Sequence, residues 1–197
     1  REMEVLSNLT RHPAHPFIAI IGGAKISDKL PVINNLLPKI DRVIVGGGVA
    51  NTFLASQGID VKSSKIEQDY ISRAGEMFKH SRGKIILPVD YAWGEEKILD
   101  VGAKSTEQAI EYIKSAKTIL WSGVPGKIEQ EPFDKASKAI ARAIADSPAT
   151  SIVGGGDTVG LVNGLCLVNR YSFVSTGGSA LLELLGGRVL PGVRALG

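Results

Sequence analysis

The feature that most constrains what this chain can fold into is the position of its glycines. Five Val/Ile-rich runs lead into glycine-rich turns: Ile21-Gly22-Gly23-Ala24, Val45-Gly46-Gly47-Gly48, Trp121-Ser122-Gly123, Val153-Gly154-Gly155-Gly156-Asp157 and Thr176-Gly177-Gly178. Glycine supplies 23 of 197 residues, above the roughly 7% of ordinary chains, without the Gly-X-Y period of collagen. Glycine directly after a strand serves tight turns and close approach of backbone to a ligand.

The apolar runs predict six strands, at Phe17–Ile21, Arg42–Val45, 84–89, 118–121, 150–153 and 172–175. Their middles (IAII, VIV, IIL, ILW, SIV) show little alternation, as expected of strands covered on both faces. Helical patterns fall between them at 26–37, 66–78, 106–116 and 132–145, the last opened by Pro132, a residue suited to a first helical turn. The expected fold is therefore α/β, a doubly wound (Rossmann-like) parallel six-stranded sheet with helices on both faces, in three layers. A length of 197 residues suits a single domain. In such a sheet the glycine turns share the carboxyl edge, where ligands bind and helix N-termini attract anions.

Composition removes several function classes. A net charge of +3 with 6% aromatic residues and no Arg/Lys block gives no nucleic-acid footprint. Cys166 is the only cysteine, so neither an internal disulfide nor a CxxC site can form. His12, His15 and His80 read as loop or surface residues, since Pro13 and Pro16 spoil the helical spacing of a zinc pair. No apolar run approaches the roughly 18 residues of a membrane span, and the first residues resemble no signal peptide, so a cytoplasmic protein with no membrane partner is expected. The missing initiator Met leads us to expect a fragment of a longer chain.

No GxxxxGK[ST] occurs, and no GxGxxG follows a strand, which disfavours Walker-type loops and dinucleotide-linked hydride transfer. Lys25 and Lys29 fall i and i+4 on the expected first turns of the first helix. Like charges at that spacing repel, and cations oppose the helix dipole, unless a polyphosphate lies over the turn. Asp157 either caps the following helix, with Thr158 in its first turn, or holds Mg²⁺ beside phosphates. Glu129, by itself, reads as a surface acid.

The run Phe17-Ile-Ala-Ile-Ile-Gly-Gly-Ala-Lys-Ile-Ser-Asp-Lys29 resembles the opening of the nucleotide-binding half of the phosphoglycerate kinase family. Ile44-Val-Gly-Gly-Gly-Val-Ala-Asn-Thr-Phe53, Leu87-Pro-Val-Asp90, Thr118-Ile-Leu-Trp121, Ser151-Ile-Val-Gly-Gly-Gly-Asp-Thr158, Val174-Ser-Thr-Gly-Gly178 and Leu190-Pro-Gly-Val193 resemble its later motifs, in family order. The resemblance covers nearly the whole chain. It implies a nucleotide-binding α/β domain over 17–197, with 1–16 a remnant of the interdomain connection and the N-terminal phosphoglycerate-binding domain absent.

The implied reaction is reversible phosphoryl transfer from 1,3-bisphosphoglycerate to Mg-ADP, giving 3-phosphoglycerate and Mg-ATP. Lys25, Lys29, Gly177 and Gly178 are the implied transfer residues. The implied nucleotide contacts are Ala24, Lys29, Gly47, Gly48, Leu99, Ser122, Val124, Glu129, Gly155, Gly156, Asp157 and Thr158. Glu129 would bond the ribose and Asp157 would hold the Mg²⁺. The isolated chain, a monomer, is expected to bind ADP or ATP with little turnover. The alternative is a non-catalytic or degenerate nucleotide-binding module.

Several positions depart from the family pattern. Trp121-Ser122-Gly123-Val124-Pro125-Gly126 stands in place of Trp-Asn-Gly-Pro followed by a small apolar residue and Gly, and Lys127 replaces an apolar residue. Ser179 replaces a third glycine, and Ile98 stands where glycine is common. A segment usual after Pro88-Val89-Asp90 is missing.

Overall fold

The computed structural model describes residues 13–175. Six parallel strands form one sheet, in the spatial order Ile85–Ile86, Arg42–Val45, Phe17–Ile21, Thr118–Ser122, Thr150–Gly154, Phe173–Val174. The chain enters at the centre with β1 (Phe17–Ile21) and moves outward through α1 (Leu30–Leu36), β2 (Arg42–Val45), α2 (Gly47–Ser56), α3 (Ile71–His80) and β3 (Ile85–Ile86). A separate antiparallel hairpin follows, β4 (Tyr91–Gly94) with β5 (Lys97–Val101), then α4 (Ala103–Ser115). The chain then returns to the centre as β6 (Thr118–Ser122) and proceeds through α5 (Lys135–Asp146), β7 (Thr150–Gly154), α6 (Gly156–Gly164) and β8 (Phe173–Val174). β1 pairs with both β2 and β6, so the order reverses between β1 and β6. A crevice opens at such a reversal, outside the carboxyl ends of the strands.

The doubly wound, three-layer expectation holds. Every residue of β1 is buried, with Phe17, Ala19 and Ile21 facing one core and Ile18 and Ile20 the other. The first core is closed by Leu30, Ile33 and Leu36 of α1 and by Val49 and Phe53 of α2. The second is closed by Ala109 and Ile113 of α4 and by Ile140 and Ile144 of α5. Truncating Phe17, 1% exposed, to alanine would cost about 3–5 kcal/mol.

The structure corrects four local expectations. The third strand shortens to Ile85–Ile86, because the chain leaves the sheet at Leu87 and Pro88 has no N–H to pair. The first helix begins at Leu30, not residue 26, so Lys25 and Lys29 lie on a turn, with Lys29 at the N-cap position. Pro132 precedes α5 by three residues instead of sitting in its first turn. Asp157 is not a cap: Gly155 takes that position at φ +98°, leaving Asp157 inside the first turn of α6.

One aspartate precedes the hairpin and another lies in its second strand, and each satisfies the start of a helix from outside it. The Asp90 carboxylate accepts from the Lys104 and Ser105 amides at 2.9 and 2.8 Å and from the Ser105 hydroxyl at 2.6 Å. The Asp100 carboxylate accepts from the Ala136 amide of α5 at 3.1 Å and from the Val101 amide at 2.9 Å. Among the described residues no helix is long and apolar enough to cross a membrane.

Candidate functional site

The crevice at the β1–β6 reversal is built from loops in backbone contact. The Gly22 amide donates to the Ser122 carbonyl at 3.0 Å, and the Gly23 amide to the Val124 carbonyl at 3.1 Å. A Cβ at Gly22 would overlap the Val124 carbonyl, and one at Gly123, where φ is +92°, would overlap the Gly22 carbonyl. Gly46 and Gly48 are similarly pressed, against Pro125 and the Ala24 carbonyl. Much of the glycine excess is thus consumed in bringing loops together.

Two clefts open above this seam. The first, of about 450 Å³, is lined by Gly23, Ala24, Lys25, Lys29 and Asp28, and across from them by Gly155, Gly156, Asp157 and Thr158. The second, of about 320 Å³, is lined by Gly47, Gly48, Leu99, Val124 and Glu129, with Asn51, Lys65, Ile98, Gly126 and Lys127. Gly23, Ala24 and Asp157 line both, so the two adjoin. Such volumes suit a small ligand.

In the first cleft charge and backbone dipoles converge. The Lys29 stem lies over Gly23, whose Cβ position is 3.8 Å from Lys29 Cε. Burial pushes the Lys29 ammonium below the ordinary lysine range, while the Asp28 and Asp157 carboxylates pull it back up. An ammonium that is poorly hydrated and incompletely neutralised favours an incoming anion. Facing it, α6 starts without a side-chain cap, and its first helical bond is Val159 N–H to the Gly155 carbonyl. The preceding amides, of Gly156 and Asp157, therefore precede the hydrogen-bond ladder at the positive end of the helix. At α2 the corresponding position is partly closed, since the Val49 amide already donates to the Gly23 carbonyl at 3.2 Å.

Thr158 is fully buried, and its hydroxyl oxygen accepts from the Gly123 amide at 2.8 Å, tying α6 to the loop after β6. Among the described residues no cluster of three His, Cys, Asp or Glu side chains could hold a metal. The first cleft carries two exposed carboxylates, Asp28 and Asp157, a sparse oxygen set compatible with a hard cation such as Mg²⁺ that keeps most of its water.

The structure brings together Ala24, Lys25, Lys29, Gly155, Gly156, Asp157 and Thr158 at one cleft, and Gly47, Gly48, Leu99, Val124 and Glu129 at the other. Ser122 lines neither. Its carbonyl serves the seam, and its hydroxyl is buried without a hydrogen-bond partner among the described residues. Gly177 and Gly178 lie outside the described residues. Asn51, Lys65 and Asp28 line the clefts but did not stand out in the sequence. Asn51 lies one helical turn past Gly47-Gly48, a visible signal, whereas Lys65 sits in an irregular stretch that nothing local marks.

The family profile described as phosphoglycerate kinase matches residues 1–188. The phosphoglycerate kinase of Clostridium perfringens (strain SM101) is 43% identical over 217 aligned residues, covering 100% of this chain and 55% of the relative. That of Desulfosudis oleivorans is 41% identical over 218, with the same coverage. Both alignments exceed the 197 residues of this chain, so the relatives carry residues with no counterpart here. Among solved structures, phosphoglycerate kinase from Coxiella burnetii superposes with a TM-score of 0.93 at 36% identity, covering 99% of this chain and 56% of that one. The enzyme from Pyrococcus horikoshii gives 0.87 at 30% identity, covering 99% and 55%. The chain spans about half the length of the relatives it matches.

Proposed function

Because the chain belongs to the phosphoglycerate kinase family, we propose that it is the nucleotide-binding half of such an enzyme, holding Mg-ADP or Mg-ATP across the two adjoining clefts. The observation that carries this reading is their continuity. A lysine- and amide-lined end meets an end lined by Gly47, Gly48, Leu99, Val124 and Glu129, and Gly23, Ala24 and Asp157 are common to both. A nucleotide has that pattern: a polyanionic tail, a ribose with hydroxyl donors and a flat apolar base.

In this reading Lys25 and Lys29 bind the phosphates and the α6 amides at Gly156 and Asp157 orient them. Glu129 accepts from the ribose hydroxyls, and the base lies between Gly47-Gly48 and Leu99 with Val124. Asp157 would hold Mg²⁺, which when bound would supply charge neutralisation at the phosphates. Gly177 and Gly178, outside the described residues, act at the transferring group. Phosphoryl transfer needs positioning and electrostatic stabilisation more than a protein nucleophile, so these groups suffice on the nucleotide side. The acceptor site belongs to the other half of the enzyme, and residues 1–16 are the connection toward it. The isolated chain then binds nucleotide with little turnover, because nothing else excludes water or supplies the phosphoglycerate.

Calorimetric titration with Mg-ADP tests the binding; absence of saturable heat at millimolar nucleotide overturns it. Adding the N-terminal half of a relative and assaying ATP formation tests the transfer, and a rate unchanged by Lys29→Ala overturns the assignment of Lys29. One observation favours a second reading, a module that binds without transferring. The buried Ser122 hydroxyl finds no hydrogen-bond partner among the described residues, at a position where the family pattern has an amide side chain. Binding without ATP formation in the reconstituted assay would select that reading.

A further inference from the structure

The stretch carrying Lys25 and Lys29 is a turn with little regular structure, so its shape must be held from elsewhere. Inside it, the Ile26 carbonyl accepts from the Lys29 and Leu30 amides at 2.9 and 2.8 Å, and the Ile26 side chain is fully buried. Ser27, between the two lysines, is gripped from outside. Its amide donates to Glu67 Oε2 and its hydroxyl to Glu67 Oε1, both at 2.8 Å across forty residues of sequence. Both carboxylate oxygens are thus used on one residue, a charge-assisted, geometry-specific pair. Ser27 holds the Glu67 carboxylate below the usual range through its amide against the opposing effect of burial, with further help from its hydroxyl and from Lys25.

Glu67 is itself anchored. Its amide donates to Thr52 Oγ1 at 3.3 Å, and the fully buried Thr52 hydroxyl donates to the Gly48 carbonyl at 3.0 Å. Gly48 lines the second cleft and packs against Ala24 without room for a Cβ. A continuous hydrogen-bonded path therefore runs from the wall of one cleft, through Thr52 and Glu67, to the lysine turn of the other.

We infer that Glu67 is a positioning residue that sets the spacing between the Lys25–Lys29 turn and the Gly47–Gly48 wall, so that polyanion and base are engaged together. This rests on the nucleotide reading, and the test separates the two. Hydrogen exchange of the ligand-free chain comes first: Glu67→Ala should remove protection at Ser27 while the amides of β1 keep theirs, and Glu67→Gln, which retains an acceptor and a donor for Ser27, should preserve most of it. Unaltered exchange at Ser27 in Glu67→Ala overturns the inference whether or not any nucleotide binds.

Second, titration compares Mg-ADP with adenosine. Losing a charged hydrogen-bond partner should lower the Mg-ADP preference about tenfold, with Glu67→Gln restoring most of it. General destabilisation would lower both affinities together and leave their ratio intact, and that result also overturns the inference. Should Glu67→Ala not fold, Ser27→Ala removes only the hydroxyl contact and must shift the ratio in the same direction. Failure of the unaltered chain to bind either ligand sinks the nucleotide reading, and the exchange experiment then decides alone.

Discussion

Glycine does opposite work in two neighbouring parts of the carboxyl edge. At the β1–β6 seam, a Cβ on Gly22 or Gly123 would run into the facing loop's carbonyl. At the turn from β7 into α6, Gly155 needs its hydrogen for backbone direction, at φ +98°, but has ordinary space around it, and Gly156 has no atom of the described residues within 4 Å of its Cβ position. The seam is closed by glycine; the turn is left open by it. Identical residue types after identical strands therefore carry different meanings, stability in one place and access in the other.

Four substitutions test that contrast, beginning with the largest effect. Gly123→Ala should destabilise by about 3 kcal/mol or more, from backbone overlap combined with a left-handed φ, as read by denaturant unfolding. A loss below 1 kcal/mol would mean the seam is not tightly closed.

Asp100 comes next, beneath the second cleft, where a Cβ at Gly126 would meet its carboxylate. Burial pushes this carboxyl up to about 6, against the Ala136 and Val101 amides that favour its charged form. With the folded value above the unfolded one, the folded chain takes up the proton first. Stability from this group is present at low pH and lost as pH rises through 6. Asp41, Glu67 and Asp90 lie below the usual carboxylate range, so their opposing contribution fades only below about pH 4. Stability should therefore rise from pH 7 to pH 5, by on the order of 2 kcal/mol at most. Asp100→Asn should flatten that slope, and a slope unchanged by the substitution would contradict this account.

Lys29→Met addresses the open side. Mg-ADP affinity should fall about tenfold or more, while the ligand-free protein should become more stable at neutral pH, because burial disfavours the ammonium. The depressed folded value means that stability from the native lysine rises with pH as it deprotonates, and Met should abolish that rise. Reduced thermal stability in Lys29→Met would show that the lysine serves the fold instead.

Gly156→Ala should be the mildest for stability, within about 0.5 kcal/mol, with its effect confined to nucleotide titrations. A large loss of stability there would erase the distinction between seam and turn.

What could be read from the chain follows from how local each cause is. Runs such as Phe17–Ile21 announce buried parallel strands, because a strand covered on both faces needs apolar residues throughout. Helix α2 was hidden, since GGVANTFLAS opens on glycines that read as a turn and lacks a polar face; seven of its ten residues are buried. The hairpin was hidden too: its strands alternate weakly, and its turn places Glu95 at φ +55°, a conformation no local residue pattern advertised. The lysine turn reads as helix from its apolar spacing. The helix starts only at Leu30, with Pro31 in its first turn and no N–H there to bond the Ser27 carbonyl, a local signal that the apolar spacing overrode. What holds the turn before it, Glu67 bonding Ser27 from forty residues away, is a tertiary contact that periodicity cannot register. The candidate site was the more legible half, because its glycine turns are local while their assembly follows from one topological rule.

The reversal of strand order has a kinetic consequence. The lysine turn follows β1, but the Gly123 and Gly155–Thr158 side of the cleft follows β6 and β7, so the cleft exists only after the chain has wound out to β3 and returned to pair with β1. That pairing closes a loop of nearly half the chain, a slow, non-local event. A ligand of the cleft thus has no partial target to bind during early collapse. It recognises the completed native state, and at a hundred times its dissociation constant it would add about 2.7 kcal/mol against unfolding. Nucleotide should therefore slow unfolding far more than it speeds folding, acting as a lock turned after the door has closed.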